Sequence, residues 1–396
     1  MAKAEYTTVI LRFGEIGIKS SQTRRRMTNL LIKHVTSALQ ENGVPFDKVH
    51  SVYGRIYIET HKAIEAAKVA AKVFGIVSTS PVVQTSAELE EILDIGEQLA
   101  RNQFKKGLSF AIGARRVGEH PFSSQDLREQ LGERLLEGIP ELELSVDLSD
   151  PEQSIYVEVR NNKAHLFTKT IPGVGGMPTG SQGKVVCTIS TGLDSPIAAY
   201  KVMKRGCIPV FLYLDNSPYS DESCSEIAIK QAQLLANYIY EFKVKLYIVS
   251  HAPDIEEARK HAPEKMTCLF CKRNMLRIAR QIAIQEGADA IVTGEIIGEQ
   301  ASQTTANLHV IEQAVTDFPI LRPLAGDDKV DIEHIAQEIG TYKFSEEGAT
   351  CCTLNPKYPS VKGDPAEVAS CEESMDFEIL NEELRNARVI VLRKGK

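Results

Sequence analysis

The chain has 396 residues, of which 43% are hydrophobic, and this is enough for two or three buried cores. Its formal net charge of −7 excludes a uniformly basic nucleic-acid-binding protein, so any nucleic-acid surface has to be local. The sequence has neither a run of about 18 apolar residues nor a signal-peptide core, which predicts a cytoplasmic protein that does not cross a membrane.

Residues 1–60 are predicted to form a small α+β domain of ferredoxin-like type. The apolar pattern predicts strands at 7–13 and 52–59 and a helix at 23–39. Three arginines stand at the start of that helix. Taken alone, such a run is more often a solvated helix end than a binding site.

Residues 61–170 are predicted to form a second α+β domain. The predicted helices are 63–74, 88–103 and one that is capped by Ser123 or Ser124 and ends at 137, and the predicted strands are 109–114, 155–159 and 164–169. The basic segment 110–116 and the Phe-Ser-Ser sequence at 122–124 make this pattern resemble a THUMP domain, a module that binds tRNA. The resemblance implies a tRNA-binding surface with the arginines of both domains, namely Arg24, Arg25, Arg26, Arg115 and Arg116.

A segment rich in glycine and proline, 171–183, is predicted to be a linker to a third domain at 184–396. There the apolar run 185–189 predicts a buried parallel strand, and Pro196 opens an apolar helix. The small residues 190–192 lie between them. A loop between a strand and a helix N-terminus offers N–H groups and the positive end of the helix dipole, which together favour an anion.

The loop sequence at 190–195 is Ser-Thr-Gly-Leu-Asp-Ser, which does not match the Gly-x4-Gly-Lys-Ser/Thr pattern of a Walker loop. It resembles the Ser-Gly-Gly-x-Asp-Ser PP-loop of ATP pyrophosphatases, enzymes that adenylate a substrate and release pyrophosphate. Thr191 stands at the first glycine position of that motif. We therefore expect its φ angle to be negative or its backbone to be strained.

Strands and helices alternate through the third domain. The predicted strands are 208–214, 245–250 and 289–293, and the predicted helices are 221–240, 273–286 and 331–339. This alternation predicts an α/β fold with a doubly wound parallel sheet. Because the ligand of such a sheet lies beyond the carboxyl ends of its strands, 190–195, 211–213 and Gly294 would meet at one crevice. Residues 372–396 show no pattern that predicts an element.

The segments 293–307, 318–329 and 339–344 closely resemble blocks of the tRNA 4-thiouridine synthetases, and 171–183 is similar to the lead-in of their PP-loop. In that family ATP adenylates O4 of the uridine at position 8 of tRNA, pyrophosphate leaves, and sulfur displaces AMP. The resemblance covers nearly the whole chain in order. It implies the same activity here, with ATP and Mg2+ as cofactors, tRNA as a partner, and sulfide or another sulfur donor.

The resemblance also implies roles for single residues. Asp194 would help to position Mg2+, since a carboxylate beside a phosphate site needs a cation, and Lys329 would stabilise charge on the phosphates. The implied ATP contacts are Thr188, Ile189, Ser190, Thr191, Gly192, Ser195, Phe211, Leu212, Lys272, Gly294 and Gln303. Lys272 replaces an arginine that is common in bacterial members, so a planar fork becomes a point charge.

Eight cysteines are too few for a disulfide scaffold in a chain of this length. Cys351 and Cys352 match the position of the family's sulfur-handling cysteine, for which we favour Cys351 as the catalytic thiol. Cys268 and Cys271 form a CxxC, which archaeal relatives combine with a cysteine near position 351 to hold an iron–sulfur cluster. This implies a 4Fe–4S cluster on Cys268, Cys271 and Cys351, with Cys352 as a substitute, whose open iron would bind sulfide.

Other interpretations of the cysteines stay open. Thiolates suit zinc as well as iron, and the CxxC could form a redox disulfide or bind nothing. Sulfur could also arrive as a persulfide on Cys351. The chain ends without room for the rhodanese domain of some members, so a role in making the thiazole of thiamine is not expected. Family members commonly dimerise, which suggests a homodimer.

Two different functions compete with the sulfurtransferase. An ATP pyrophosphatase that acts on a small metabolite would not need the basic N-terminal segments. A tRNA-binding module with a degenerate loop, suggested by Thr191, would not need to retain Asp194, Gln303 and Lys329. The resemblance therefore favours the enzyme that modifies tRNA.

Overall fold

The computed structural model describes residues 5–52, 54–350 and 352–392, and the chain divides into two units, Met1–Pro178 and Thr179–Lys396. The boundary falls inside the glycine-rich segment 171–183. The start of that segment belongs to the first unit, because Ile171 pairs with Thr79 and the Gly173 N–H donates to the Val77 carbonyl at 2.8 Å.

The described residues of the first unit contain nine strands: β1 (Thr8–Arg12), β2 (Lys48–Val52), β3 (Arg55–Glu59), β4 (Ser78–Ser86), β5 (Ser109–Val117), β6 (Ser145–Val146), β7 (Gln153–Arg160), β8 (Lys163–Phe167) and β9 (Ile171–Pro172). Its helices are α1 (Ser21–Glu41), α2 (Ala63–Ala71), α3 (Leu89–Gln103) and α4 (Ser124–Gly138). The strands form one sheet in the order β2-β3-β1-β4-β8-β7-β5-β6, and β9 pairs with β4.

The long central strand β4 joins the two halves of this sheet. Its first part pairs with β1, from Ser78 to Val82, and its last part pairs with β8, from Val83 to Ser86. The sequence pattern missed β4 because a proline within a run usually indicates an edge strand. Pro81 is accommodated in the centre because it lies in the gap between β9 and β8, where β4 has β1 as its one described neighbour.

Two further predictions for the first unit were wrong in detail. The single strand predicted at 52–59 is a hairpin of β2 and β3, with Gly54 in the turn at a φ of 75°. The strand predicted at 109–114 continues as β5 to Val117, so Arg115 and Arg116 lie within the strand. The second error arose because Arg115 and Arg116 interrupt the apolar signal at the end of the strand.

The described residues of the second unit contain six strands: β10 (Lys184–Ile189), β11 (Ile208–Asp215), β12 (Val244–Ser250), β13 (Ala290–Val292), β14 (Ile320–Leu321) and β15 (Arg388–Leu392). Its helices are α5 (Asp194–Lys204), α6 (Ser223–Ala236), α7 (Ala252–His261), α8 (Thr267–Glu286), α9 (Thr305–Glu312), α10 (Lys329–Ile339), α11 (Tyr342–Ser345), α12 (Pro365–Glu372) and α13 (Glu378–Arg385). None of the helices in the described ranges is both long and apolar enough to cross a bilayer.

The six strands form a sheet in the order β14-β13-β10-β11-β12-β15. Strands β10 to β14 are parallel, and this confirms the predicted doubly wound α/β fold. The unassigned C-terminal residues supply α13 and β15, an edge strand antiparallel to β12. The strand order reverses at β10, whose neighbours are β11 and β13, so the crevice lies at the carboxyl end of β10.

Two helices at this crevice begin earlier than predicted. Helix α5 begins at Asp194, two positions before Pro196, so Asp194 and Ser195 belong to its first turn. Helix α8 begins at Thr267 and not at 273, which places the CxxC at the N-terminal end of this helix. The periodicity of α8 was hidden because cysteines and Phe270 occupy its start, where a capping side chain would normally mark the boundary.

Candidate active site

The loop between β10 and α5 is held by its own side chains. The Ser190 N–H donates to Ser195 Oγ at 2.7 Å, the two hydroxyl oxygens lie 2.9 Å apart, and the Gly192 N–H donates to Ser190 Oγ at 3.2 Å. Helix α5 starts directly after the loop, so its first-turn N–H groups and its positive dipole end adjoin it. The arrangement is that of an anion-binding loop, as the sequence predicts.

Thr191 adopts the loop conformation without strain. The non-glycine residues with positive φ in the described ranges are Glu143, Asn161 and Glu241, so the φ of Thr191 is negative, which is the first of the two expected alternatives. Its carbonyl accepts a hydrogen bond at 3.1 Å from Nε2 of Gln231, a fully buried side chain of α6. Sequence analysis missed this supporting residue because it lies in the middle of an ordinary helix.

Gly294 is required by the packing of the main chain. A Cβ atom at this position would lie 2.8 Å from both N and Cα of Ser195, well inside van der Waals contact. The residue follows β13, and the close approach presses that strand end against the first turn of α5. Thr188 on β10 also contacts β13, because its hydroxyl donates to the Val292 carbonyl at 3.2 Å.

Asp194 and Lys329 form an ion pair beside the loop. Lys329 Nζ lies 2.6 Å from Asp194 Oδ1 and 2.7 Å from Glu299 Oε1. Burial raises the pKa of Asp194, Lys329 counteracts the shift, and the nearby Glu299 adds to it. Burial would lower the pKa of Lys329, but the two carboxylates outweigh it and raise that pKa, so the ammonium is charged at neutral pH. Sequence analysis missed Glu299.

Lys272 lies against the buried carboxylate of Glu295. Its Nζ is 3.3 Å from Glu295 Oε1, and Arg322 Nε is 3.3 Å from Oε2, while the Thr293 hydroxyl also donates to Oε2. Burial opposes ionisation, but Lys272, Thr293 and Arg322 hold the pKa of Glu295 below its usual range. Lys272 is therefore engaged in this network.

The other predicted nucleotide contacts differ in whether their main chain or their side chain could bind a ligand. Phe211 and Leu212 are fully buried and Ile189 nearly so, which leaves only their main-chain groups for a ligand. Gln303 is buried as well, yet its side-chain Oε1 has no hydrogen-bond partner among the described residues. An unpaired amide oxygen in a buried position is costly, and a ligand N–H is one group that would satisfy it.

The CxxC lies next to Cys352. Burial, then the neighbouring thiols of Cys271 and Cys352, raise the pKa of Cys268 to about 11. Cys268 Sγ lies 3.7 Å from Asn355 Oδ1, and Cys271 Sγ lies 3.3 Å from Nε2 of His251. None of the described cysteines forms a disulfide. Cys351, the predicted catalytic thiol and third ligand, lies outside the described residues.

A tethered segment, 350–363, carries Cys352 to the CxxC. Its first residues bond to the loop after β11, where the Thr350 N–H donates to Asp221 Oδ2 at 2.6 Å. Its last residues bond to the region of α8 and α9, where the Ser360 N–H donates to the Lys265 carbonyl at 2.8 Å and the Gly363 N–H to Asn307 Oδ1 at 2.8 Å. These contacts explain how distant cysteines converge.

Three buried ionisable residues lie behind Cys271. His251 Nδ1 is 2.7 Å from Asp254 Oδ1, and the Asp254 N–H donates to Glu383 Oε1 at 3.2 Å. Burial and the charge of Asp254 raise the pKa of Glu383 to about 8. Burial would lower the pKa of His251, but Asp254 and Cys271 outweigh it and raise that pKa well above its usual value. The sequence gives no signal for this cluster.

In the first unit, the predicted tRNA-binding arginines lie on two elements. Arg24, Arg25 and Arg26 are exposed on α1, whereas Arg115 is exposed and Arg116 half-buried on β5.

The sheet of the first unit also carries an arginine cluster that the sequence missed. Arg12 and Arg160 lie 2.6 and 3.4 Å from the buried carboxylate of Glu158, and Arg55 lies 3.6 Å from it. Burial opposes ionisation of Glu158, but these arginines hold its pKa below the usual range. Three cations around one anion leave the cluster with a net positive charge.

Comparison with known proteins places these features in one family. The family model described as "Thiamine biosynthesis protein (ThiI)" matches residues 180–377, the "ThiI ferredoxin-like domain" matches 8–80, and the "THUMP domain" matches 86–169. A "Probable tRNA sulfurtransferase" of Methanosarcina mazei is 38% identical over 99% of this chain and 97% of its own length. Another, from Methanobrevibacter smithii, is 40% identical over 94% of this chain and 96% of its own.

A solved structure described as a 4-thiouridine synthetase–RNA complex with bound ATP has a TM-score of 0.86 at 29% identity, and the match covers 98% of this chain and all of that one. PH1313 from Pyrococcus horikoshii matches with a TM-score of 0.66 at 26% identity, over 84% of this chain and 99% of its own. The fold and the loop thus define an α/β enzyme of PP-loop type with ferredoxin-like and THUMP domains before it. The chain belongs to the ThiI family.

Proposed function

We propose that this enzyme is an ATP-dependent tRNA sulfurtransferase that makes 4-thiouridine at position 8 of tRNA. The observation that carries the proposal is the loop 190–195, which lies at the strand-order reversal of the sheet with the Asp194–Lys329 pair beside it. The end-to-end likeness to a 4-thiouridine synthetase with bound ATP and RNA supports the same substrates.

The loop supplies what an adenylation step needs. Uracil O4 attacks the α-phosphorus of ATP, the bond to the β-phosphate oxygen breaks, and pyrophosphate leaves. N–H groups at the start of α5 and the hydroxyls of Ser190 and Ser195 would hold phosphate oxygens as their charge changes. Sulfur then attacks C4, and AMP leaves with the former uracil oxygen.

Lys329 and two carboxylates would have different roles when ATP is bound. Lys329 would turn from the carboxylates towards the phosphates. Asp194 and Glu299 then offer the hard oxygen ligands that suit Mg2+, which would neutralise phosphate charge when it is bound. With one ammonium and two carboxylates, the group carries a net negative charge, which a bound Mg2+ would offset.

The cysteines suit a metal site on the sulfur side of the reaction. Cys268, Cys271 and Cys352 are close enough to influence one another, and thiols are the ligands that iron–sulfur clusters and zinc prefer. Among the described residues, which do not include Cys351, no three His, Cys, Asp or Glu side chains lie close enough together to hold a metal ion, so the proposed site needs Cys351 as a ligand. We propose Cys268, Cys271 and Cys351 as ligands of a 4Fe–4S cluster, which would present sulfide to the activated uridine.

A thiolation assay tests the proposed activity. Full-length enzyme with ATP, Mg2+, sulfide and unmodified tRNA should form 4-thiouridine and release pyrophosphate under anaerobic conditions. A tRNA with cytidine in place of the uridine at position 8 is the matched control and should give neither product. Pyrophosphate release that does not depend on tRNA would favour the metabolite enzyme instead.

Single cysteine variants separate the cluster from a persulfide. Cys268→Ala, Cys271→Ala and Cys351→Ala should each lower bound iron and end thiolation with sulfide, while pyrophosphate release continues. Cys352→Ala should have less effect, and Cys371→Ala on α12 is the control. Full activity of Cys268→Ala with sulfide would contradict the cluster and favour a persulfide on Cys351.

Salt dependence tests the proposed tRNA surface of the first unit. Replacing Arg115 by Ala should weaken tRNA binding and reduce the slope of log affinity against log salt by about one, since each neutralised phosphate releases counterions. Arg280→Ala, which removes an exposed partner of Asp317 in the second unit, is the control. An unchanged salt slope in Arg115→Ala would remove that residue from the interface.

A further inference from the structure

His251 is a buried residue with a polar neighbour close to each of its ring nitrogens. It follows β12, caps the start of α7 and is 1% exposed. Nδ1 lies 2.7 Å from Asp254 Oδ1, and Nε2 lies 3.3 Å from Cys271 Sγ. The ring is therefore fixed between a carboxylate and one thiol of the CxxC, and it cannot rotate without losing both contacts.

Asp254 is fixed in turn by a third element. Its N–H donates to Glu383 Oε1 at 3.2 Å, so α7 and α13 are joined behind the CxxC. Asp254 and Glu383 are 3% and 5% exposed, and they lie beside the apolar core residues Ile255 and Leu380. Burying such groups is unfavourable compared with apolar residues of the same volume, so packing alone does not account for them.

The two cysteines of the CxxC have different neighbours. Cys271 contacts the imidazole of His251, whereas Cys268 contacts the neutral amide of Asn355 on the tethered segment. A thiolate bound to a metal can accept hydrogen bonds but cannot donate one. An N–H at Nε2 is the donor that suits such a sulfur, and the carboxylate on Nδ1 keeps the ring in that orientation.

We propose that His251 is a positioning residue for Cys271: its Nε2–H donates to the sulfur and holds it in place as a metal ligand. The inference rests on the proposed metal site at the CxxC. It adds a series of polar contacts that runs from Glu383 on α13 through Asp254 and His251 to that site. Such outer partners orient the ligands of metal sites, and their loss typically weakens metal binding about 10- to 100-fold.

Co2+ binding to the metal-free full-length protein tests the inference. Co2+ titrated under anaerobic conditions reports affinity and ligand type through its sulfur charge-transfer and d–d bands. We expect His251→Ala to bind about 10- to 100-fold more weakly with unchanged bands. His251→Gln, which retains an N–H donor, should recover most of the affinity. His261→Ala, at the exposed end of α7, should equal the wild type.

Other results of the Co2+ titration would contradict either the role of His251 or the metal site. Equal affinity of His251→Ala and the wild type would overturn the positioning role. Altered d–d bands would overturn it in favour of direct ligation by the ring. If His251→Ala does not fold, Asp254→Asn replaces it, since the ring then lacks its carboxylate, and unchanged affinity again contradicts the role. A wild type that binds no Co2+ would overturn the proposed metal site itself.

Discussion

The crevice of the second unit has two sides that are built on different principles. The nucleotide side consists of the loop 190–195 with Lys329 and Glu299, and it is formed from main-chain groups and charged side chains near the surface. The cysteine side consists of Cys268, Cys271 and Cys352, whose thiols come from the start of α8 and from the tethered segment. A phosphate site can be made by one short segment, whereas a thiol cluster needs the whole fold.

The two sides also differ in electrostatics. On the nucleotide side, Asp194 and Glu299 share the ammonium of Lys329, so each carboxylate has a cation of the protein beside it. On the cysteine side, a pKa of about 11 keeps Cys268 protonated at neutral pH, and a bound cation is what would stabilise its thiolate. The anions of the nucleotide side thus lie beside a cation of the protein, whereas the thiolates of the cysteine side would need a bound cation.

The largest effect is expected from Asp194→Ala, which removes the carboxylate of the nucleotide side. Pyrophosphate release should fall by about a hundredfold or more, since preorganised charge at the reacting phosphate is lost. Affinity for tRNA should stay close to that of the wild type. Asp317→Ala, which removes an exposed ion pair with Arg280, is the matched control and should keep its activity. Normal pyrophosphate release by Asp194→Ala would show that the nucleotide side does not depend on this carboxylate.

The cysteine side should show its buried charges in the pH dependence of stability. The folded protein keeps the Glu383 proton up to a pKa of about 8, whereas the unfolded chain loses it near 4.5. The folded state thus holds more protons between these values, and the free energy of unfolding falls as pH rises through this window, at most by roughly 1.4 kcal/mol per pH unit.

Glu383→Gln removes this titration, so its free energy of unfolding should vary less between about pH 5 and pH 8. Chemical denaturation at several pH values measures it. Glu378→Gln on the exposed start of the same helix should follow the wild type. Parallel curves for Glu383→Gln and the wild type would show that the carboxyl ionises normally.

A smaller effect is expected where the strand end presses on the loop. Gly294→Ala should cost about 1–3 kcal/mol in free energy of unfolding and should weaken ATP binding, because its Cβ would meet the Ser195 main chain. Gly326→Ala, where a Cβ meets nothing within 4 Å, is the control. Denaturant unfolding and ATP titration measure both quantities. Equal behaviour of the two variants would mean that the loop can move aside.

The smallest effect is expected from Thr191→Gly, which restores the residue of the family motif. Thr191 has a negative φ, so glycine relieves no strain and adds freedom to the unfolded chain. We expect a loss of about 0.4–1 kcal/mol in stability and unchanged pyrophosphate release. Higher stability together with faster pyrophosphate release would show that Thr191 is unfavourable in this loop.

The sequence predicts a site well when the residues of that site are neighbours in the chain. The loop 190–195 was recognisable because strand, turn and helix start follow one another in the chain, and its hydrogen bonds stay within it. Glu299 and His251 were not, because each acts on a residue far away in sequence: Lys329 in one case and Cys271 in the other.

The sheet of the first unit was similarly hard to predict. Glu158 collects arginines from β1, β3 and β7, and no local pattern connects these strands. Pro81 concealed β4, whose pairing with β1 and β8 becomes apparent only in the folded sheet. Sequence patterns predicted elements and the local loop, whereas contacts between distant strands needed the structure.

The shared strand β4 determines whether the two modules of the first unit can be separated. The family models for its two parts end at residue 80 and begin at residue 86, so both boundaries lie on β4. A fragment cut between them would divide one strand, leaving β1 or β8 with part of a partner and an exposed edge. The two modules can therefore be recognised separately but are expected to fold, unfold and be exchanged between proteins as one piece.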